Sequence, residues 1–202
     1  NHDGTSWGRS LDPASADAAL SLVEVAGESD WCTQSIIGGV AAAHPTTALE
    51  YLARTSGVRR GADDIHDLGA AFDTAVNATA LAAWWKASMI QDAEATASVL
   101  QVVLEPTITQ VQADAFAPLV PQLDAHNVDL LAACLSGVPL WPLHRPSLAR
   151  AMLARLRSAD ASTEETAKQI TAASRLRMFG FTNGHSSELA TAIRLAVESA
   201  AV

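Results

Sequence analysis

Large aromatic side chains are scarce in this sequence: five tryptophans, four phenylalanines and one tyrosine make up 5% of 202 residues. That shortage argues against a β-sandwich, whose core is filled by Val, Tyr and Phe. Charge is also sparse, at 17% of residues against 49% hydrophobic, which excludes intrinsic disorder over most of the chain. Cysteine occurs twice, at Cys32 and Cys134, and neither lies in a CxxC or a Cys/His cluster of zinc spacing. A disulfide framework and a zinc module are thereby excluded, both thiols are read as small core residues, and a reducing compartment is expected. No apolar run nears the roughly 20 residues of a bilayer-crossing helix. The N-terminal "NHDGTSWGRS" has neither the basic start nor the apolar core of a signal peptide. The expectation is a soluble protein of the cytoplasm or another reducing compartment, with no membrane contact. Because the chain starts at Asn1 and not at a methionine, it is read as a processed product or a piece of a longer protein.

What is abundant is alanine, the best helix former, set among frequent helix punctuation. "LDPASADAALSLVEVAG" offers Asp12 as N-cap and Pro13 at the first helical position, then puts Ala16, Ala19, Leu20 and Val23 on one face before Gly27. "SDWCTQSIIGGVAAAH" spaces Ile36, Ile37 and Val40 helically, yet carries Gly38 and Gly39, each costing about 1 kcal/mol against alanine in a helix interior. Either another backbone packs closely there or the helix breaks. Further helices are expected from Pro45 to the turn at Gly57, over "TALAAWWKASMI" with Leu81, Trp84, Trp85, Ser88 and Met89 on one side, and over 92–104. Pro118 and Pro121 make 115–126 short or irregular, and "NVDLLAACLSG" is helical with Leu131, Cys134 and Leu135 inward. "VPLWPLHRP" reads as an extended connection and "PSLARAMLARLRSAD" as an amphipathic helix on Leu148, Met152, Leu153 and Leu156. Ser162 with Glu165 forms a capping box for a helix ending near Gly180, and Ser186 or Ser187 caps the last one.

The fold class is therefore all-α, with about eleven short helices in stacked antiparallel pairs or an irregular bundle. Residues 1–11 are expected to be a flexible tail and 12–202 one helical domain. "PTTALEYLAR" at 45–54 and "PSLARAMLAR" at 146–155 agree at Pro, Ala, Leu, Ala and Arg, and Cys32 and Cys134 fall in the preceding helices at nearly the same offset. This layout of helix, Pro-led turn and helix resembles the HEAT-like repeats of α-solenoids. The resemblance implies helical pairs that each bury an apolar face against the next.

The obvious chemical motif is "ADDIHD", whose Asp63, Asp64 and Asp67 match the DDxxD spacing by which isoprenoid synthases hold magnesium. Such carboxylates must face a cavity. At about 100° per residue from Ile65, however, Leu68, Phe72 and Val76 form the buried stripe, and Asp63 and Asp67 fall opposite it. They are better placed as helix-start carboxylates, favoured by the dipole. His66 and Asp67 also resemble the doublet of HD-class metal phosphohydrolases, with His44 upstream, although two aspartates precede it in place of an apolar segment. Asp63, Asp64, His66 and Asp67 thus remain the candidate ligands of a metal-dependent hydrolase or lyase, the third reading. No nucleophile elbow, GxGxxG or phosphate-binding GxxxxGK occurs, so no cofactor is expected.

Formal net charge is −9 but uneven: residues 1–144 hold five Lys/Arg against seventeen Asp/Glu, and residues 145–202 hold eight against five. The interface candidates are Arg150, Arg155 and Arg157 on one helix, Arg175 and Arg177 on the next, and Trp141 as an aromatic anchor. The leading expectation is a non-catalytic assembly or protein–protein interaction module, alone or within a larger protein, that binds other subunits or copies of itself. The second is a self-assembling helical coat or nucleoprotein subunit that contacts nucleic acid through its basic C-terminal part.

Overall fold

The computed structural model describes residues 3–26, 31–55, 68–104, 107–135, 138 and 144–156. All regular structure among them is helical. Ten α-helices lie among the described residues, α1 (Asp3–Ser10), α2 (Pro13–Ala26), α3 (Trp31–Ala43), α4 (Pro45–Thr55), α5 (Leu68–Ala71), α6 (Ala75–Ser88), α7 (Ala93–Leu104), α8 (Gln110–Phe116), α9 (Ala125–Cys134) and α10 (Pro146–Leu156), with a 3₁₀ turn at Val120–Gln122. The backbone divides into two compact units, residues 1–103 and 104–202, where the sequence suggested one domain over 12–202.

In the first unit, helix starts follow local chemistry. The Asp12 carboxylate accepts the backbone N–H groups of Ala14 and Ser15 at 3.0 and 3.1 Å, which opens α2 at Pro13. The Ser15 hydroxyl, and then its N–H, hold that carboxyl below its ordinary pKa. Ala16, Ala19, Leu20 and Val23 are all buried, as the spacing predicts. Helix α3 runs unbroken through Gly38 and Gly39 because of α1.

Residues 3–10, expected to be a flexible tail, form a helix packed against α3. A Cβ built on Gly39 would lie 2.5 Å from the Thr5 carbonyl oxygen and 3.0 Å from the Gly8 Cα; one on Gly8 would lie 2.9 Å from the Ile36 carbonyl oxygen. The two helices touch backbone to backbone, so only glycine fits at the crossing. A Cβ on Gly38 would meet nothing. Helix α1 is short and polar, and its order comes from this docking and not from propensity.

A second departure lies between α5 and α6. The stripe expected over Leu68, Phe72 and Val76 holds for the first two, which are buried, but Val76 is 76% exposed. Thr74 interrupts the helix: its backbone is extended and its hydroxyl accepts the Asn77 N–H at 3.2 Å, so α6 starts afresh with a new phase. Buried Asn77 then donates from Nδ2 to the carbonyls of Ala42 (3.0 Å) and Ala71 (2.8 Å), tying the ends of α3 and α5 to the first turn of α6. Leu81, Trp84, Trp85 and Met89 are buried on the expected side of α6 and the turn after it.

In the second unit, Thr109 and Gln112 form a reciprocal capping box at the start of α8, and Asp124 caps α9 by accepting the Asn127 N–H at 2.7 Å. Pro121 lies in the 3₁₀ turn, which is the irregular element expected around it. Leu131, Cys134, Leu135, Leu148 and Met152 are buried. In both units helices pack as pairs, α3 with α4 and α9 with α10.

Gly38→Ala is expected to raise stability by about 0.5–1 kcal/mol, since the methyl enters open space and removes the glycine penalty in the helix. Gly39→Ala drives a methyl into the α1 backbone and is expected to lower stability by about 1–3 kcal/mol. Urea unfolding midpoints compare the two, and equal midpoints would show that α1 is not seated on Gly39.

Candidate interaction surface

The outward chemistry of the first unit begins on α2. Its inner face seats against α3 and α4, while Leu22 and Val25 are 71% and 86% exposed. The signal for them was in the sequence. At about 100° per residue from Leu20, Leu22 and Val25 fall near 200° and 140°, away from Ala16 and Val23, so α2 is apolar on both sides. Trp7 on α1 is half-exposed, and Ile90 after α6 is 87% exposed. Leu22 and Val25 stand one turn apart on one helix and form its outer apolar face.

Of the basic candidates, Arg150 and Arg155 lie among the described residues. Arg150 is exposed on α10. Arg155 is partly buried, and its Nε–H donates to the Leu123 carbonyl at 2.5 Å and holds α10 to the end of the 3₁₀ turn. A helix face read by residue spacing shows where a side chain starts; a long guanidinium ends where a carbonyl needs a donor. Arg145, which the sequence did not single out, is used in the same way: its Nε–H donates to the Ile108 carbonyl at 2.7 Å. Trp141, Arg157, Arg175 and Arg177 lie outside the described residues, as do Asp63, Asp64, His66 and Asp67.

Among the described residues no three His, Cys, Asp or Glu side chains gather in a way that would hold a metal ion. Their histidines are each committed or apart. His44 is tied to the Leu11 carbonyl, and His126 and His144 are exposed. The two thiols differ from each other and, in one case, from expectation. Cys134 is buried on α9, and loss of hydration pushes its thiol up to about 12. Cys32, expected in the core, is exposed near the start of α3. It is the second residue of α3, which begins at Trp31. No helix among the described residues is long and apolar enough to cross a membrane.

No protein-family model, curated protein or solved structure matches this chain.

Arg155→Ala is expected to cost about 1–2 kcal/mol through the lost charge-assisted bond to Leu123, while Arg150→Ala stays within about 0.5 kcal/mol. Denaturant unfolding of the two variants side by side checks this. A thiol reagent at pH 8 is expected to label Cys32 in the native protein and Cys134 only after unfolding, read as one adduct against two by mass spectrometry.

Proposed function

We propose that this chain is a non-catalytic helical module whose function is association with other protein subunits or with copies of itself. The observation that supports this is the outer face of α2, where Leu22 and Val25 stand in water on a helix whose opposite face is already buried. Exposed apolar side chains weaken solubility without helping the fold, and a contact that removes them from water contributes about 1.5–3 kcal/mol for each fully buried side chain. The stacked helical pairs suit such a role, because they give rigid elements on which outward side chains hold their positions. The HEAT-like reading of those pairs belongs to this proposal.

The nucleic-acid reading draws on Arg150, exposed on α10, and on the excess of basic residues after position 144. Arg155 adds less to it, since its Nε–H is held by the Leu123 carbonyl. Protein contact is the stronger reading because Leu22 and Val25 are exposed on a described helix, whereas Arg157, Arg175 and Arg177 lie outside the described residues.

Light scattering across a size-exclusion peak, with absorbance at 260 and 280 nm, tests the proposal. A mass above 21.1 kDa that rises with concentration is expected, and Leu22→Ser with Val25→Ser is expected to lower it toward the monomer. Absorbance dominated by 260 nm, together with dissociation on Arg150→Glu, would replace this reading with the coat or nucleoprotein one.

A further inference from the structure

The sequence likeness around Pro45 and Pro146 covers ten positions, but the structure carries it into polar contacts that no sequence comparison shows. His44 and Arg145 each stand immediately before the proline, 101 positions apart, and each caps the helix that follows: Ala48 N–H donates to the His44 carbonyl and Ala149 N–H to the Arg145 carbonyl, both at 3.2 Å. Their side chains then reach back across the unit to the same kind of place. His44 Nε2 donates to the Leu11 carbonyl at 2.7 Å, and Arg145 Nε donates to the Ile108 carbonyl at 2.7 Å. Leu11 directly precedes Asp12, the N-cap of α2, and Ile108 directly precedes Thr109, the N-cap of α8.

A second tether repeats nine residues after each proline. Arg54 Nε pairs with the Glu24 carboxylate at 3.2 Å, near the end of α2; Arg155 Nε donates to Leu123, at the end of the 3₁₀ turn that follows α8. Packing agrees, since α4 contacts α2 and α3 while α10 contacts α8, the 3₁₀ turn and α9. The core positions Ala48 and Tyr51 of α4 have Ala149 and Met152 as buried counterparts in α10. Any Pro-led helix needs a cap, but nothing requires the capping residue's side chain to return to the carbonyl ahead of an N-cap more than thirty residues earlier.

We infer that residues 11–55 and 108–156 are two copies of one module, whose described parts are a first helical element, a second helix and a Pro-led third helix, held closed by two side-chain tethers. The chain is an internal duplication whose copies fall in separate compact units. The inference is independent of the interaction proposed above. At the first tether the shared chemistry is an N–H donor on a side chain long enough to reach the carbonyl, so the position is retained while the residue differs.

Reciprocal exchange in the full-length chain tests it: His44→Arg and Arg145→His against His44→Ala and Arg145→Ala, with amide hydrogen exchange followed over 47–52 and 148–153. Each alanine variant is expected to speed exchange by about tenfold in its own Pro-led helix only, the loss of roughly one hydrogen bond to a buried carbonyl. Each exchanged variant is expected to stay within about threefold of the natural chain. Exchanged variants as loose as the alanine ones, or alanine variants no looser than the natural chain, would overturn the equivalence. Should His44→Ala fail to fold, the His44→Arg chain decides alone, with native exchange supporting the duplication and unfolding refuting it.

Discussion

The backbone contact of α1 with α3 at Gly8 and Gly39 shows the constraint under which this protein is built. A chain rich in alanine and poor in aromatics fills space by bringing helices close together, and the limit of that strategy is two glycines facing each other. Close packing of small residues gains dispersion contacts but brings carbonyl groups at helix ends into crowded surroundings that small apolar side chains cannot satisfy. Long polar side chains supply the donors. His44, Asn77, Arg145 and Arg155 each deliver an N–H to a carbonyl in another element, at Leu11, at Ala42 and Ala71, at Ile108 and at Leu123. The same few residues therefore set the helix ends and the packing, which is why arginines that resemble surface residues on a helical projection are structural.

Those parts of the fold that local chemistry determines were legible from residue order. Asp12 and Pro13 define the start of α2, and its four inward residues follow from period alone. Helix α1 was not legible, because "DGTSWGRS" has weak propensity and its stabilising partner lies on α3, although the glycine pair in α3 did announce that some backbone would approach. The restart at α6 was missed for a different reason. Thr74 looks like any helix threonine until the phase of Leu68 and Phe72 fails to continue to Val76. For the candidate surface, the sequence carried the clue to Leu22 and Val25 in the two-sided apolarity of α2, but attention to its inward face concealed it. No pattern of residue types could reveal the acceptors of Arg145 and Arg155, since both are backbone carbonyls.

A duplicated module also explains why chemistry is hard to find by motif. The positions that repeat are those that the fold needs: an N-cap, a Pro-led helix, a donor before the proline and an arginine nine residues after it. Residues 1–103 hold five Lys/Arg against thirteen Asp/Glu, while residues 104–202 hold eight against nine, so the two units have diverged in charge around a shared skeleton. Surface substitutions away from tethers and caps cost the fold little, so charge can differ between the units while the skeleton is kept.

Leu49 and Arg150 make that argument at one position. Both are the fifth residue of a Pro-led helix, counting from Pro45 and Pro146, yet Leu49 is fully buried and Arg150 is exposed. Helix α4 packs against α6 as well as against α2 and α3, and a leucine fits a helix enclosed on that many sides. An arginine at the matching place commits α10 to a face that meets water or a polar partner, since a buried guanidinium without a paired acceptor would cost several kcal/mol. The two copies share their internal tethers but differ in what this helix turns toward, so the equivalent surfaces of the units are suited to different contacts.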